Sequence, residues 1–129
     1  MMMELGAKDW DAGLEFACEG GHRDLALFMI KQGAHVWAHG LYGACKGGHK
    51  ELVLLIIKQG VKLKDLNWGL YGACQEGNIE LALFMIDNGA DDFNFGLIQA
   101  RIGKHNDLIL ILNEKLNKRV IFRKNANIL

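Results

Sequence analysis

The sequence predicts an all-α protein built as a stack of helix-turn-helix repeats, a solenoid, and three observations carry that expectation. A ten-residue phrase, GLYGACKGGH at 40–49, returns as GLYGACQEGN at 69–78, and more loosely as GLEFACEGGH at 13–22 and GLIQARIGKH at 96–105. Alignment on the shared glycine sets repeat starts at Asp9, Val36, Asp65 and Asp92, hence periods of 27, 29 and 27 residues, the signature of a stacked array. Behind each phrase lies an apolar run, LALFMI, LVLLII, LALFMI or LILIL, that supplies the body of a second helix.

Each copy opens on a lead of similar chemistry: DWDAG, VWAHG, DLNWG and DFNFG. Asp11, Asn67 and Asn94 are the expected N-caps, because a short polar side chain there accepts from an orphaned backbone N–H. A short first helix follows and runs into a glycine-rich turn that reverses the chain. The second helix opens at His22, His49, Asn78 or His105. An acid stands two residues later in each copy (Asp24, Glu51, Glu80, Asp107) and complements the positive helix N-terminus. Lys31 and Lys58 fall in the last turn, and Gly33, Gly60 and Gly89 are the expected left-handed caps.

One such pair leaves its apolar face open, so the copies must stack, burying Leu14, Leu41, Leu70 and Leu97 in a shared core. The expected organisation is a partial N-terminal repeat or cap at 1–8, repeats at 9–35, 36–64 and 65–91, a divergent fourth at 92–118, and a basic tail or cap at 119–129. Gly6 precedes Gly13 by the same seven residues that separate Gly33 from Gly40, which marks 1–8 as the end of a truncated copy. In the fourth copy Leu116 replaces the closing glycine, and the chain turns polar and basic.

Composition narrows the function. The 129 residues are half apolar, and 15 Lys and Arg balance 15 Asp and Glu, so no overall field draws the chain to nucleic acid or an anionic membrane. No stretch reaches the roughly 18 to 20 apolar residues of a membrane span, and MMMELGAKDW lacks the pattern of a signal peptide; the expected location is the cytoplasm. Cys18, Cys45 and Cys74 share one register in successive copies, and packed helices stand about 8–10 Å apart, too far for disulfides between them. They are expected as small buried residues in a reducing compartment.

Four functions are disfavoured. Cys18 with His22, and Cys45 with His49, have C-x3-H spacing, but each pair belongs to a separate repeat, and His35 and His39 supply no third ligand in sequence; no metal is expected. The glycine turns lack GxxxxGK[ST] and a preceding strand, so no phosphate loop or cofactor is expected. Acids and histidines recur at repeat positions where capping already explains them, leaving no unique pair for catalysis. The basic segment Lys115, Lys118, Arg119, Arg123 and Lys124 has one interleaved aromatic, Phe122, and reads as a solvated cap in preference to a nucleic-acid site.

The recurring frame resembles the ankyrin repeat. Leu41, Ala44, Cys45, Gly48, His49, Glu51 and Gly60 carry it, and again Leu70, Ala73, Cys74, Gly77, Glu80, Gly89 and Ala90, within a stretch from about 9 to 116. The threonine-proline that opens the family's first helix is absent, since the chain has no proline, and an aromatic-glycine lead replaces it. The short period implies shortened loops in place of full β-hairpins. The flavour is similar to the short, divergent ankyrin repeats of large DNA viruses of amoebae, which would put the protein in a host cytoplasm.

The resemblance implies a non-enzymatic module whose rigid concave surface of first helices and loops binds a partner protein. Trp10 and Trp37 on the loops, Tyr42 and Tyr71 on the first helices, and Trp68 are the expected aromatic contacts. Lys46 and Gln75, at the variable position before each turn, join them. Part of the aromatic set is expected in the core, with Phe16 filling in one repeat the space Trp68 fills in another. The alternative is a structural role, in which Leu27, Leu54, Leu83 and Leu110 form an apolar stripe on the second helices for self-association.

Overall fold

The computed structural model of the protein describes residues 9–128, so the expectation for residues 1–8 lies outside the described part. The described residues form eight helices and no strand. They are α1 (Trp10–Glu19), α2 (Arg23–Gln32), α3 (Trp37–Gly47), α4 (Lys50–Ile57), α5 (Leu63–Glu76), α6 (Ile79–Asp87), α7 (Phe93–Ile102) and α8 (Asn106–Ile128). Odd-numbered helices pack on one another in series, and each even-numbered helix packs on the odd-numbered helix before it. Four helix pairs thus lie side by side.

One apolar core runs through all four pairs. Leu14, Leu41, Leu70 and Leu97 are buried, as are Ala17, Ala44, Ala73 and Ala100 three residues further on. Met29, Ile56, Met85 and Leu112 close the core from the second helices. Each large side chain contributes about 1.5–3 kcal/mol on leaving water.

Glycine sets how near the first helices come. A Cβ on Gly43 would lie 2.4 Å from the Glu15 carbonyl oxygen, and one on Gly72 would lie 2.6 Å from that of Tyr42. Backbone therefore meets backbone from α1 to α3 and from α3 to α5. The fourth copy carries Gln99 at this register and the first carries Phe16. Phe16 is 79% exposed, so it does not fill the space that Trp68 occupies; its side of α1 is the one that, in the next two copies, faces the preceding helix.

The expected N-caps are corrected. The helices start earlier than Asp11, Asn67 and Asn94, which lie inside α1, α5 and α7; the residues at the N-cap are Asp9, Val36, Lys62 and Asp92. Asp92 accepts from Phe95 N–H, and Asn78 accepts from Leu81 N–H at the start of α6. Asp11 and Asn67 reach across to the next repeat instead. Asp11 Oδ1 accepts from His35 N–H (2.8 Å) and Val36 N–H (3.0 Å), and Asn67 Oδ1 accepts from Asp91 N–H (2.8 Å) and Asp92 N–H (3.1 Å). Each fastens the following loop. The turn histidines do similar work: the ring of His49 bonds the Glu19 carbonyl, and that of His105 bonds the Gln75 carbonyl.

The second joint breaks this pattern. Ala38 stands where Asp11 and Asn67 stand, and it has no polar side-chain atom with which to fasten the loop before α5. The extra residues of the 29-residue period enter α5, which has 14 residues against 10 or 11 in the other first helices. Asp65, aligned with the N-caps Asp9 and Asp92, thereby falls in the first turn of α5 and accepts from Lys62 N–H at 2.9 Å. The connection is capped from within instead of from the preceding repeat.

The closing glycines have positive φ, +122° at Gly33, +96° at Gly60 and +119° at Gly89, but the expected caps are corrected: Gly33 alone stands at the C-cap, while Lys58 and Asn88 hold that position in α4 and α6. The turn glycines Gly21, Gly48 and Gly77 sit at φ of 74° to 78°, and in the fourth copy Lys104 holds that conformation at φ 59°. With no glycine to stop it, α8 runs without a break across 118/119, and Arg119 donates to the Asp91 carbonyl (3.0 Å) with its guanidinium over Phe93 (4.6 Å).

Two substitutions test these constraints by urea denaturation. Gly72→Ala forces α3 and α5 apart and should cost about 3 kcal/mol. Lys104→Gly relieves a left-handed lysine and should add about 0.5–1 kcal/mol after the entropy cost of glycine.

Candidate functional site

Three columns of side chains cross the exposed face of the first helices, spaced three and four residues apart along each helix so that they share one side. The first holds Ala12, His39, Trp68 and Phe95; the second Glu15, Tyr42, Tyr71 and Ile98; the third Glu19, Lys46, Gln75 and Ile102. Because the helices pack so closely, residues from neighbouring copies touch. His39 Nδ1 bonds Glu15 Oε1 at 2.7 Å, Lys46 Nζ lies 3.5 Å from Glu19, and the Tyr42 hydroxyl donates to Gln75 Oε1 at 2.7 Å.

The centre is aromatic. Tyr71 stacks on Phe95 (centroids 4.7 Å, 25°), while Trp68 meets Tyr42, Tyr71 and Phe95 edge to face at 5.4–6.4 Å. Lys46 Nζ lies 5.7 Å from the centre of the Tyr42 ring, a cation–π contact. Burial, opposed by Lys46, holds the Tyr42 phenol above its ordinary pKa, so the hydroxyl stays a donor at neutral pH. The face therefore grades from ion-paired at α1, through aromatic, to apolar at α7, where Ile102 is 72% exposed.

Beside this cluster opens a groove of about 940 Å³. Trp37, Tyr42, Trp68 and Tyr71 form its aromatic wall, Glu15 and His39 close one end, the self-capped connection supplies Gly60 and Lys62, and the first turn of α5 supplies Lys64. Ala38 lines it where an acid or amide would have bound the loop.

Of the seven expected contacts, six gather here. Trp37, Tyr42, Trp68 and Tyr71 line the groove, and Lys46 and Gln75 contact Tyr42 from the rim. Trp10 does not join them; it packs edge to face on Phe28 at 6.1 Å. Trp10 and Trp37 are also the first residues of their helices and not loop residues, each resting partly on the core. Phe95, His39, Lys62 and Lys64 were missed. Phe95 and His39 share Trp68's register, a signal open to inspection, whereas the two lysines enter only through the irregular joint.

The cysteines have another role. All three are buried free thiols, and Cys45 and Cys74 pack where the next copy has Gly69 and Gly96. Burial pushes each from 9.0 up to about 12, with Cys74 adding to the rise at Cys45. They are protonated at neutral pH, the less reactive form of the thiol. Among the described residues no three His, Cys, Asp or Glu side chains form a metal-sized group, and no helix is long and apolar enough to cross a membrane. Of the leucine stripe, Leu27, Leu54 and Leu110 are exposed and Leu83 is half-buried.

Compared with protein-family models and with curated proteins, the chain matches none.

The thiols give a pH prediction with a definite sign. A group whose folded pKa is raised stabilises fully below its unfolded value, and that contribution is lost as pH rises toward the folded one. Stability should therefore fall from about pH 9 toward 12. Urea midpoints at pH 7 and 10.5 should differ less for Cys45→Ala than for the parent chain.

Proposed function

We propose that the chain is an ankyrin-type solenoid acting as a non-enzymatic interaction module, with the graded face of α3, α5 and α7 and its groove as the surface for a partner protein. The carrying observation is the joined cluster of Tyr42, Trp68, Tyr71 and Phe95 beside an open groove. Large rings already locked against one another lose little conformational freedom on docking, which is what makes aromatic anchors effective. The helix pairs packed in series and the fastened loops favour the same reading, because they hold that face in advance. The likeness to short repeats of amoebal DNA viruses suggests a host protein as the partner and the host cytoplasm as the location.

The second reading is self-association through the leucine stripe, favoured by Leu110, which is 69% exposed. It is the weaker one, since the stripe is interrupted where Leu83 is half-buried. Nucleic acid is a poorer fit, because Arg119 is engaged with Asp91 and Phe93, and Lys118 is paired with Glu114.

Trp68, at 45% exposure, is the anchor least needed by the fold. Affinity capture from the cell that makes the protein should retain a partner on the parent chain and lose it on Trp68→Ala, with both melting within a few degrees. Equal retention by the two would remove the groove face from the account. Sedimentation at micromolar concentration should give a monomer; a dimer abolished by Leu54→Lys would favour the second reading.

A further inference from the structure

We infer that the groove between α3 and the lengthened N-terminus of α5 takes an acidic segment of the partner, a short peptide stretch with one large apolar side chain and a carboxylate to one side of it. The inference rests on the interaction-module reading and specifies the chemistry of its partner. It begins from the irregularity of the second joint. Where Asp11 and Asn67 fasten the following loop by two backbone hydrogen bonds each, Ala38 leaves that space empty, and the groove occupies it.

The groove's charges are unevenly satisfied. Its two acids are engaged, Glu15 by His39 at 2.7 Å and Asp65, almost fully buried, by Lys62 N–H at 2.9 Å. Lys62 and Lys64 are exposed, and neither forms an ion pair among the described residues. Asp92 lines the small cavity next to Lys64, but its Oδ1 caps α7. The loop end is therefore basic and uncommitted, the far end is acidic, and the middle wall is aromatic. A carboxylate at Lys62 and Lys64 with an apolar side chain against Trp37 and Trp68 matches the basic end and the aromatic wall, and the acidic far end opposes a second carboxylate there, which fixes the direction of the peptide. Single-stranded nucleic acid fits less well, because Trp68, Tyr71 and Phe95 are packed against one another and, among the described residues, the groove offers two unpaired cations.

A random peptide display library selected on the immobilised full chain tests this. Selected sequences should carry a large apolar residue with Asp or Glu on one side of it. A labelled selected peptide should bind about tenfold more weakly to Lys62→Ala/Lys64→Ala, and more weakly in high salt. Ala38→Asn, which fills the groove and supplies the missing fastener, should weaken it likewise while circular dichroism and the melt are kept. Selection of neutral or basic sequences, acidic peptides that bind both variants undiminished, or displacement of the peptide by an oligothymidine probe would each overturn the acidic-segment inference and leave the module reading standing. Failure to select any sequence that distinguishes the parent chain from Trp68→Ala would remove both.

Discussion

Backbone contact between consecutive first helices is the constraint on which the rest of the molecule depends. At Gly43 and Gly72 there is no room for a methyl group, and the partner on the other side is a carbonyl that cannot move aside without bending a helix. That closeness draws side chains some 24 to 33 positions apart in sequence into hydrogen-bonding range, as with Glu15 and His39 or Tyr42 and Gln75. The same closeness leaves space in the core only for small residues at the inner register, which is why alanine and cysteine recur there. Core and outer face are thus two consequences of one interhelical distance.

Regularity of packing makes the single irregular joint informative. Loops at the first and third joints are tied to the preceding helix by Asp11 and Asn67, whereas the second is tied by its own Asp65. A loop capped from within can stand off from its neighbour, and the groove opens at that place. In the wall of the groove Tyr42, Trp68 and Tyr71 pack on one another and on Phe95, even though its floor is a departure from the repeat.

Much of the architecture was legible in the chain because the repeat reports its own register: the helix pairs, the buried leucines and the positive-φ glycines all follow from phrases that recur. Caps were less legible. A short polar side chain near a helix start can bond its own helix or the next repeat, and Asp11 and Asn67 do the latter, a choice that depends on interhelical distance and not on local sequence. The aromatic residues divided for a similar reason. Trp68 and Tyr42 differ from Trp10 in which neighbour flanks them, and Trp10 lies against Phe28 instead. Lys62 and Lys64 became visible only once the extra residues of the 29-residue period were seen to lengthen α5.

The central claim, that helix pairs stack in register on one shared core, is tested most directly by nuclear Overhauser spectroscopy on methyl-labelled protein. Leu14 and Gly40 are adjacent across the first joint, and Leu70 and Gly96 across the third. Stacking predicts a cross-peak from a Leu14 methyl to the Gly40 α protons and another from a Leu70 methyl to those of Gly96. Absence of both, with the two leucines reporting unrelated surroundings, would contradict it.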